Sequence, residues 1–466
     1  MNEPVSLRRV LKFRTVVSTS TGLAYAAISL LSCIQLASSL GGDSGWVAIL
    51  IAGLLAILAA LCFSELNALY PTAAAVRLYM KEAFGDNFSL VITFAYLLTI
   101  IAVIAADSYI VGSAITYAFN LPSWASLIWI LVLLGLSAGA NLRGIKIAGL
   151  LQDITTYSLL AFIIVISLIS LGQHNFQLRS PFDAFGHPID LINAVAIGVF
   201  IFSGFEWVTP LSEEISDIGL IPRGMFISLG LLGVSYALFT VASSRLLNVH
   251  SAAVLGSPVP QMLLAKVALG QAGIWLMLIA TLFTAVMTFN GGFATASRFL
   301  YAAAREDVLP PMFARISVSF AVPYVALLWL AGSSAVLAVL IYLTNQFNTL
   351  ILVGAVLEAV IYTIAGLCVI RLRRRQPNAE RAFRIRGGLL FPILTVIVFG
   401  LLALLASLGI GSNVLPGLPL GITLVLTGIS ALYVFLVIPK LRAAAAARQA
   451  TRRRRPQRVA PGEEVS

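Results

Sequence analysis

Only 11% of the 466 residues are charged, and cysteine and histidine number three each. A soluble domain carries roughly a quarter charged residues, so this composition argues against a water-exposed globule. Cys33, Cys62 and Cys368 all fall inside apolar runs, which excludes a disulfide framework and a cysteine-based metal site. His174, His187 and His250 stand in polar connections without ligand-like spacing. No Cys/His cluster, His-rich helix or nucleophile motif is present, so neither enzyme chemistry nor a cofactor or metal is expected. Repeated rings of polar residues, the mark of a channel, are also missing. No polar segment is long enough for the soluble output domain of a receptor.

Hydrophobic residues make up 59% of the chain, and they come in runs rather than in 3.6-residue stripes. A membrane span needs about 20 predominantly apolar residues. Such runs recur at 15–40, 45–70, 89–118, 123–140, 147–172, 189–211, 224–247, 272–303, 322–343, 347–370, 389–410 and 417–439. The chain is therefore read as an all-α integral membrane protein with twelve transmembrane helices. An even count puts both ends on one side. Residues 1–14 are basic and lead into the first run with no small-residue cleavage site, which points to an uncleaved first span.

The net charge of +11 is distributed unevenly. Of the 30 Lys and Arg, only Arg179, Arg245 and Lys266 fall on the opposite side from the rest. Cationic short loops favour the cytoplasm, so both termini are expected there, in a multi-pass protein of the cell membrane. Segment 371–388 holds Arg371, Arg373, Arg374, Arg375, Arg381, Arg384 and Arg386, and Arg452 to Arg455 lie in the tail. Their expected partner is anionic lipid, and nucleic acid is not expected. The connections 173–188 and 248–271 are the long ones on the other side, while 441–466 forms a basic tail that continues the last helix and then frays.

Two spans depart from a plain lipid-facing pattern. The first contains Ser18-Thr19-Ser20-Thr21-Gly22, and the sixth contains Phe202-Ser203-Gly204-Phe205-Glu206 followed by Pro210. Small, hydroxyl-bearing and helix-breaking residues in mid-span mark places where a helix opens onto a cavity. Each irregular span begins a block of five, the layout of an inverted-repeat transporter with a midplane site. Three carboxylates also lie at bilayer depth: Asp107 in span three, Glu206 in span six and Glu358 in span ten. No Lys or Arg lies at similar depth. Each acid is then protonated, bound to a cationic ligand or facing water, and buried charge of this kind is a functional candidate by default. Glu65, at the inner end of span two, suits interfacial hydrogen bonding instead.

Three stretches resemble the amino acid–polyamine–organocation (APC) superfamily of secondary transporters, as its amino acid permeases. They are 63–72 (FSELNALYPT) with Ala83-Phe84-Gly85, 202–206 with Glu213-Glu214 and Ile221-Pro222-Arg223-Gly224, and 297–310 (SRFLYAAAREDVLP) followed by Val322-Pro323. The resemblance extends over most of residues 10–440. It implies a 5+5 inverted-repeat, LeuT-like core with broken helices one and six, plus two peripheral helices. Residues 15–172 would form the first repeat, 173–370 the second, and 389–440 the peripheral pair.

By the same resemblance, an amino acid or amine binds between helices one, three, six, eight and ten. Its carboxylate would meet amides at the first break, here within Tyr25, Ala26, Ala27, Ile28 and Ser29. The second break would comprise Phe200 to Glu206, with Phe200 or Phe202 as an aromatic lid and Ser203 and Gly204 at the opening. In helix eight, Asn290 and Phe293 are expected to line the pocket. Glu206 falls where some relatives carry a proton-coupling acid, and Glu358 is a second candidate for that role. Asp107 matches no general family motif and is assigned to selection of a basic or amine substrate. The first break also lacks the family's glycines. The implied activity is proton-coupled symport of amino acids or related amines by alternating access; the alternative is an amino acid/amine exchanger.

Overall fold

The computed structural model describes residues 11–39, 44–72, 74–143, 145–173, 185–186, 188–213, 215–247, 249, 251–317, 320, 322–344, 346–409 and 414–454. Helices α1 (Phe13–Ala24) and α2 (Ala27–Ser39) together make the first span, bent by 57° at their junction. Then follow α3 (Gly45–Leu69), the short α4 (Ala75–Phe84), α5 (Asp86–Ala118), α6 (Ala125–Asn141) and α7 (Ile145–Gln173). The second half begins with α8 (Pro188–Phe202), which continues as 3-10 turns over Phe205–Leu211. After it come α9 (Leu220–Leu246), the four-residue α10 (Ala252–Leu255), α11 (Pro260–Arg305), α12 (Tyr324–Thr344) and α13 (Phe347–Arg375). Helices α14 (Leu390–Leu408), α15 (Leu418–Leu432) and α16 (Ile438–Arg454) complete the chain, the last two joined by π turns at Tyr433–Val437.

Among the described residues, ten helices are long and apolar enough to span a bilayer, and the bent pair α1/α2 brings the number to eleven. The remaining expected span is α6, an apolar helix of 17 residues, at the short end of the spanning range. Two expectations for the connections are resolved differently. Residues 260–269, read as part of a loop, are helical, because Gly270 (φ 62°, ψ −142°) breaks α11 and leaves an arm ahead of the span proper. The Ala- and Arg-rich stretch to Arg454 does continue the last helix. His174, His187, His250 and the connection 174–184 lie outside the described residues.

The packing has a hidden two-fold. Counting α1/α2, α3, α5, α6 and α7 as spans one to five and α8, α9, α11, α12 and α13 as six to ten, several contacts recur five spans along. Helix α1 packs on α7 as α8 packs on α13; α2 packs on α9 as α8 packs on α3. Helix α5 packs on α12 as α11 packs on α6, and on α13 as α11 packs on α7. A shift of five, an odd number, reverses the direction of travel through the bilayer. The axis relating the halves therefore lies in the membrane plane, the inverted-repeat arrangement. Helices α14 and α15 stand outside this scheme and turn Leu401, Leu404, Leu424 and Val425 outward, as a lipid-facing surface requires.

Buried ion pairs tie the basic end together. The Glu65 carboxylate of α3 receives Arg373 Nη2 at 2.5 Å and Nε at 2.7 Å and the Ile385 amide at 2.9 Å, and the Arg381 guanidinium adds an ion-pair contact with Nε 3.4 Å away. Glu65 thus anchors the Arg-rich connection after α13 rather than serving as an interfacial acceptor alone. Arg77 of α4, almost fully buried, reaches Asp86 at 3.0 Å and Glu306 at 2.5 Å. Removing one member of a buried pair strands the other charge, at a cost of about 3–5 kcal/mol. Glu65→Ala is accordingly expected to lower the unfolding midpoint of the detergent-solubilised protein by that amount of stability. A melting curve superimposable on wild type would refute the anchoring role.

Candidate functional site

The first break forms without glycine. Tyr25 (φ −89°, ψ 56°) and Ala26 are non-helical, yet the Tyr25 amide still reaches Thr21 O at 3.0 Å. The freed Ala24 carbonyl accepts the Tyr236 hydroxyl at 2.7 Å and the Ser29 hydroxyl at 2.9 Å. No positive φ is required at Tyr25, so an ordinary L-residue suffices once those hydroxyls replace the lost helical donor. On the far side, the restarting helix α2 presents amides without helical acceptors. Asp107 of α5 meets them: Ile28 N–H donates to Oδ1 at 3.2 Å, and the Ala27 amide is directed at the same carboxylate. Asp107 is fully buried, and its Oδ2 has no hydrogen-bond partner among the described residues.

The second break does need glycine. Helix α8 ends at Phe202, and Gly204 adopts φ 111°, ψ −14° before the 3-10 turns. A Cβ on Gly204 would lie 3.0 Å from Ala24 N and 3.0 Å from Leu23 C, so the two breaks press against each other. Pro210 lies inside the 3-10 turns and has no amide to donate. The Glu206 carboxylate turns back on the opening. Its Oε2 accepts the Gly204 amide at 3.1 Å and the Tyr362 hydroxyl at 3.0 Å, and its Oε1 accepts the Tyr96 hydroxyl at 2.7 Å. The Trp207 indole N–H donates in turn to Tyr96. Glu358 of α13 adjoins Glu206, and its Oε1 is buried without a partner among the described residues. No Lys or Arg among the described residues is paired with Asp107, Glu206 or Glu358.

A cavity lies between the breaks. Leu23, Ala24, Ala26, Ile28 and Ser29 of span one line it, with Thr99, Ile100, Val103 and Ile104 of α5. Phe200, Ser203, Gly204 and Trp207 come from span six, Thr288 from α11 and Glu358 from α13. Five of the spans named from the sequence therefore meet at one place. Several individual residues do not. Phe202 is directed at Tyr236, with ring centroids 5.6 Å apart, so Phe200 supplies the aromatic wall. Asn290 and Phe293 are off the wall, because α11 presses Gly291 and Gly292 against Leu23 and Ile104 and turns Thr288 to the cavity. Tyr25 and Ala27 sit at the break but behind the lining, Tyr25 stacking on Tyr236 at 5.0 Å. Tyr96, Tyr236 and Tyr362 were not singled out in the sequence; an isolated tyrosine inside an apolar run carries no signal there.

A family model described as amino acid permease matches residues 11–438. The chain belongs to the amino acid permease family. It is 28% identical over 397 residues to the large neutral amino acids transporter small subunit 2 of Oryctolagus cuniculus, covering 82% of this chain and 71% of that protein. To the Asc-type amino acid transporter 1 of Homo sapiens it is 26% identical over 390 residues, covering 80% and 71% respectively. A crystal structure of a mutant manganese transporter from Eremococcus coleocola shares the fold with a TM-score of 0.59 at 15% identity, covering 92% of this chain and 94% of that one. This permease is thus a multi-pass membrane transporter and not an enzyme, as its composition and motifs indicated.

Gly204 forms the turn at the second break of this permease, and its conformation is open to test. A side chain in the left-handed region costs about 1–2 kcal/mol, and the contact with Ala24 adds to it. Gly204→Ala is expected to lower thermal stability and to weaken ligand binding together. Retention of both at wild-type level would show that the turn at Gly204 is not needed.

Proposed function

We propose that this permease is a secondary active transporter of amino acids or related amines, working by alternating access in the cell membrane, with its basic end and both termini in the cytoplasm and a proton as the driving ion. The observation that carries the reading is the central cavity itself. It is bounded by two abutting helix breaks and has Glu358, next to Glu206, in its wall. Two adjoining carboxyls in a medium of low dielectric hold one proton between them more readily than none. Glu206 is held by three donors, the Tyr96 and Tyr362 hydroxyls and the Gly204 amide, which fix the pair at the second break. Opening the cavity to water on one face would release that proton, and closing it would recapture one. Anchorage by Arg373 and the other basic loops supplies the static frame against which α1 and α8 tilt. The names of the relatives support amino acids and related solutes as cargo.

The test is uptake into proteoliposomes of whichever amino acid or amine raises the melting temperature of the purified protein. Glu206→Gln is expected to abolish accumulation driven by a pH gradient while counterflow at equal pH persists. Unchanged pH-driven uptake would remove the proton role. A wild-type protein that performs counterflow but never accumulates substrate along a pH gradient would be an exchanger.

A further inference from the structure

The protein's own acids occupy the amides freed at both breaks. Asp107 caps the start of α2, a helix of 13 residues, and Glu206 takes the Gly204 amide at the second break. What remains open toward the centre is of the other sign. Helices α1 and α8 both end there, and helix C-termini attract cations. Glu358 adds a carboxyl oxygen without a partner among the described residues. No Lys, Arg or His stands in the cavity wall among the described residues. A ligand carboxylate entering the cavity would find the Ile28 and Gly204 amides taken, no counter-charge, and the Glu358 carboxyl in the wall. A buried charge without a partner is strongly disfavoured. An ammonium group would find all that it needs.

We propose that Asp107 is an internal carboxyl standing in for a substrate carboxylate, and that the central cavity takes a primary monoamine with an apolar body and rejects the parent α-amino acid. This rests on the transport reading above and narrows its substrate class. The apolar body follows from the rest of the wall, where Leu23, Ile100, Val103, Ile104 and Phe200 offer hydrocarbon. The single ammonium follows from the single carboxyl in that wall, Glu358. A diamine would place its second charge against those apolar side chains. Asp107 does not line the cavity, so it acts on specificity by occupying the Ala27 and Ile28 amides, not by touching the ligand.

The experiment compares matched pairs on the purified full-length protein in nanodiscs: phenylalanine with 2-phenylethylamine, and leucine with 3-methylbutylamine. In wild type each amine is expected to bind at least about tenfold more tightly than its parent amino acid. Asp107→Ala vacates the amides and is expected to narrow that ratio by about tenfold or more through a gain in amino acid affinity. Asp107→Leu, of similar shape but without an acceptor, vacates the amides as well and decides the matter if the alanine variant does not fold. Wild-type preference for the amino acids, or an unchanged ratio in the variants, overturns the assignment while leaving amino acid transport standing. Binding of 1,5-diaminopentane as tight as that of the monoamines overturns the single-ammonium site. If no amine and no amino acid binds, the transport reading itself fails and this inference falls with it.

Discussion

A helix that stops in the middle of a bilayer exposes amides and carbonyls that no lipid can satisfy, and every such group must find a partner inside the protein. Here that requirement arises twice, at Tyr25-Ala26 and at Ser203-Gly204, and the surrounding architecture is arranged around meeting it. Tyr236 and Ser29 serve the Ala24 carbonyl; Asp107 serves the amides of α2; Glu206 serves Gly204. These partners come from α9, span one itself, α5 and the 3-10 turns, so the break can persist only while those elements stay packed together. The cavity is the space left where the two stops face each other.

The two halves solve the same problem by different chemistry. The first break is held open by hydroxyls and needs no unusual backbone, whereas the second depends on a glycine at positive φ. Asp107 ends with one oxygen unpartnered, while Glu206 is saturated by two tyrosines and an amide. Near the basic end the first span is fastened to α7, where Asp153 receives Arg14, Thr15 and Ser18, and Leu11 pairs with Ile215 just beyond the 3-10 turns. The polar face of Ser18, Thr19, Ser20 and Thr21 is therefore partly an attachment surface and not a ligand surface. Arg77 and Glu65 complete a static frame on the same side.

Much of this was legible in the chain. Long apolar runs mark the spans, the arginine distribution marks the basic end, and glycine and proline in span six mark the second break, because each signal is local. Asp107, Glu206 and Glu358 stood out for the equally simple reason that lipid does not tolerate them. The first break was placed correctly between Tyr25 and Ser29 only through family resemblance, since its cause, Tyr236, lies more than 200 residues away in sequence. Side-chain direction was the part that could not be read. Asn290 and Phe293 flank a glycine pair that looked like a pocket lining, but those glycines serve close packing against Leu23 and Ile104. Thr288, two residues from Asn290, reaches the cavity instead. The rotation of a uniformly apolar helix is set by its neighbours, and no periodic pattern in its own sequence records it.

Contact between the breaks also has a mechanical side. With Gly204 lying against Ala24 and Leu23, the bends of the first and sixth spans are not two joints but one bearing with two shafts. Any displacement of one break toward the other at this point would drive backbone into backbone. The contact is therefore stiff in compression, and the position of each break limits that of the other through a single point of backbone contact.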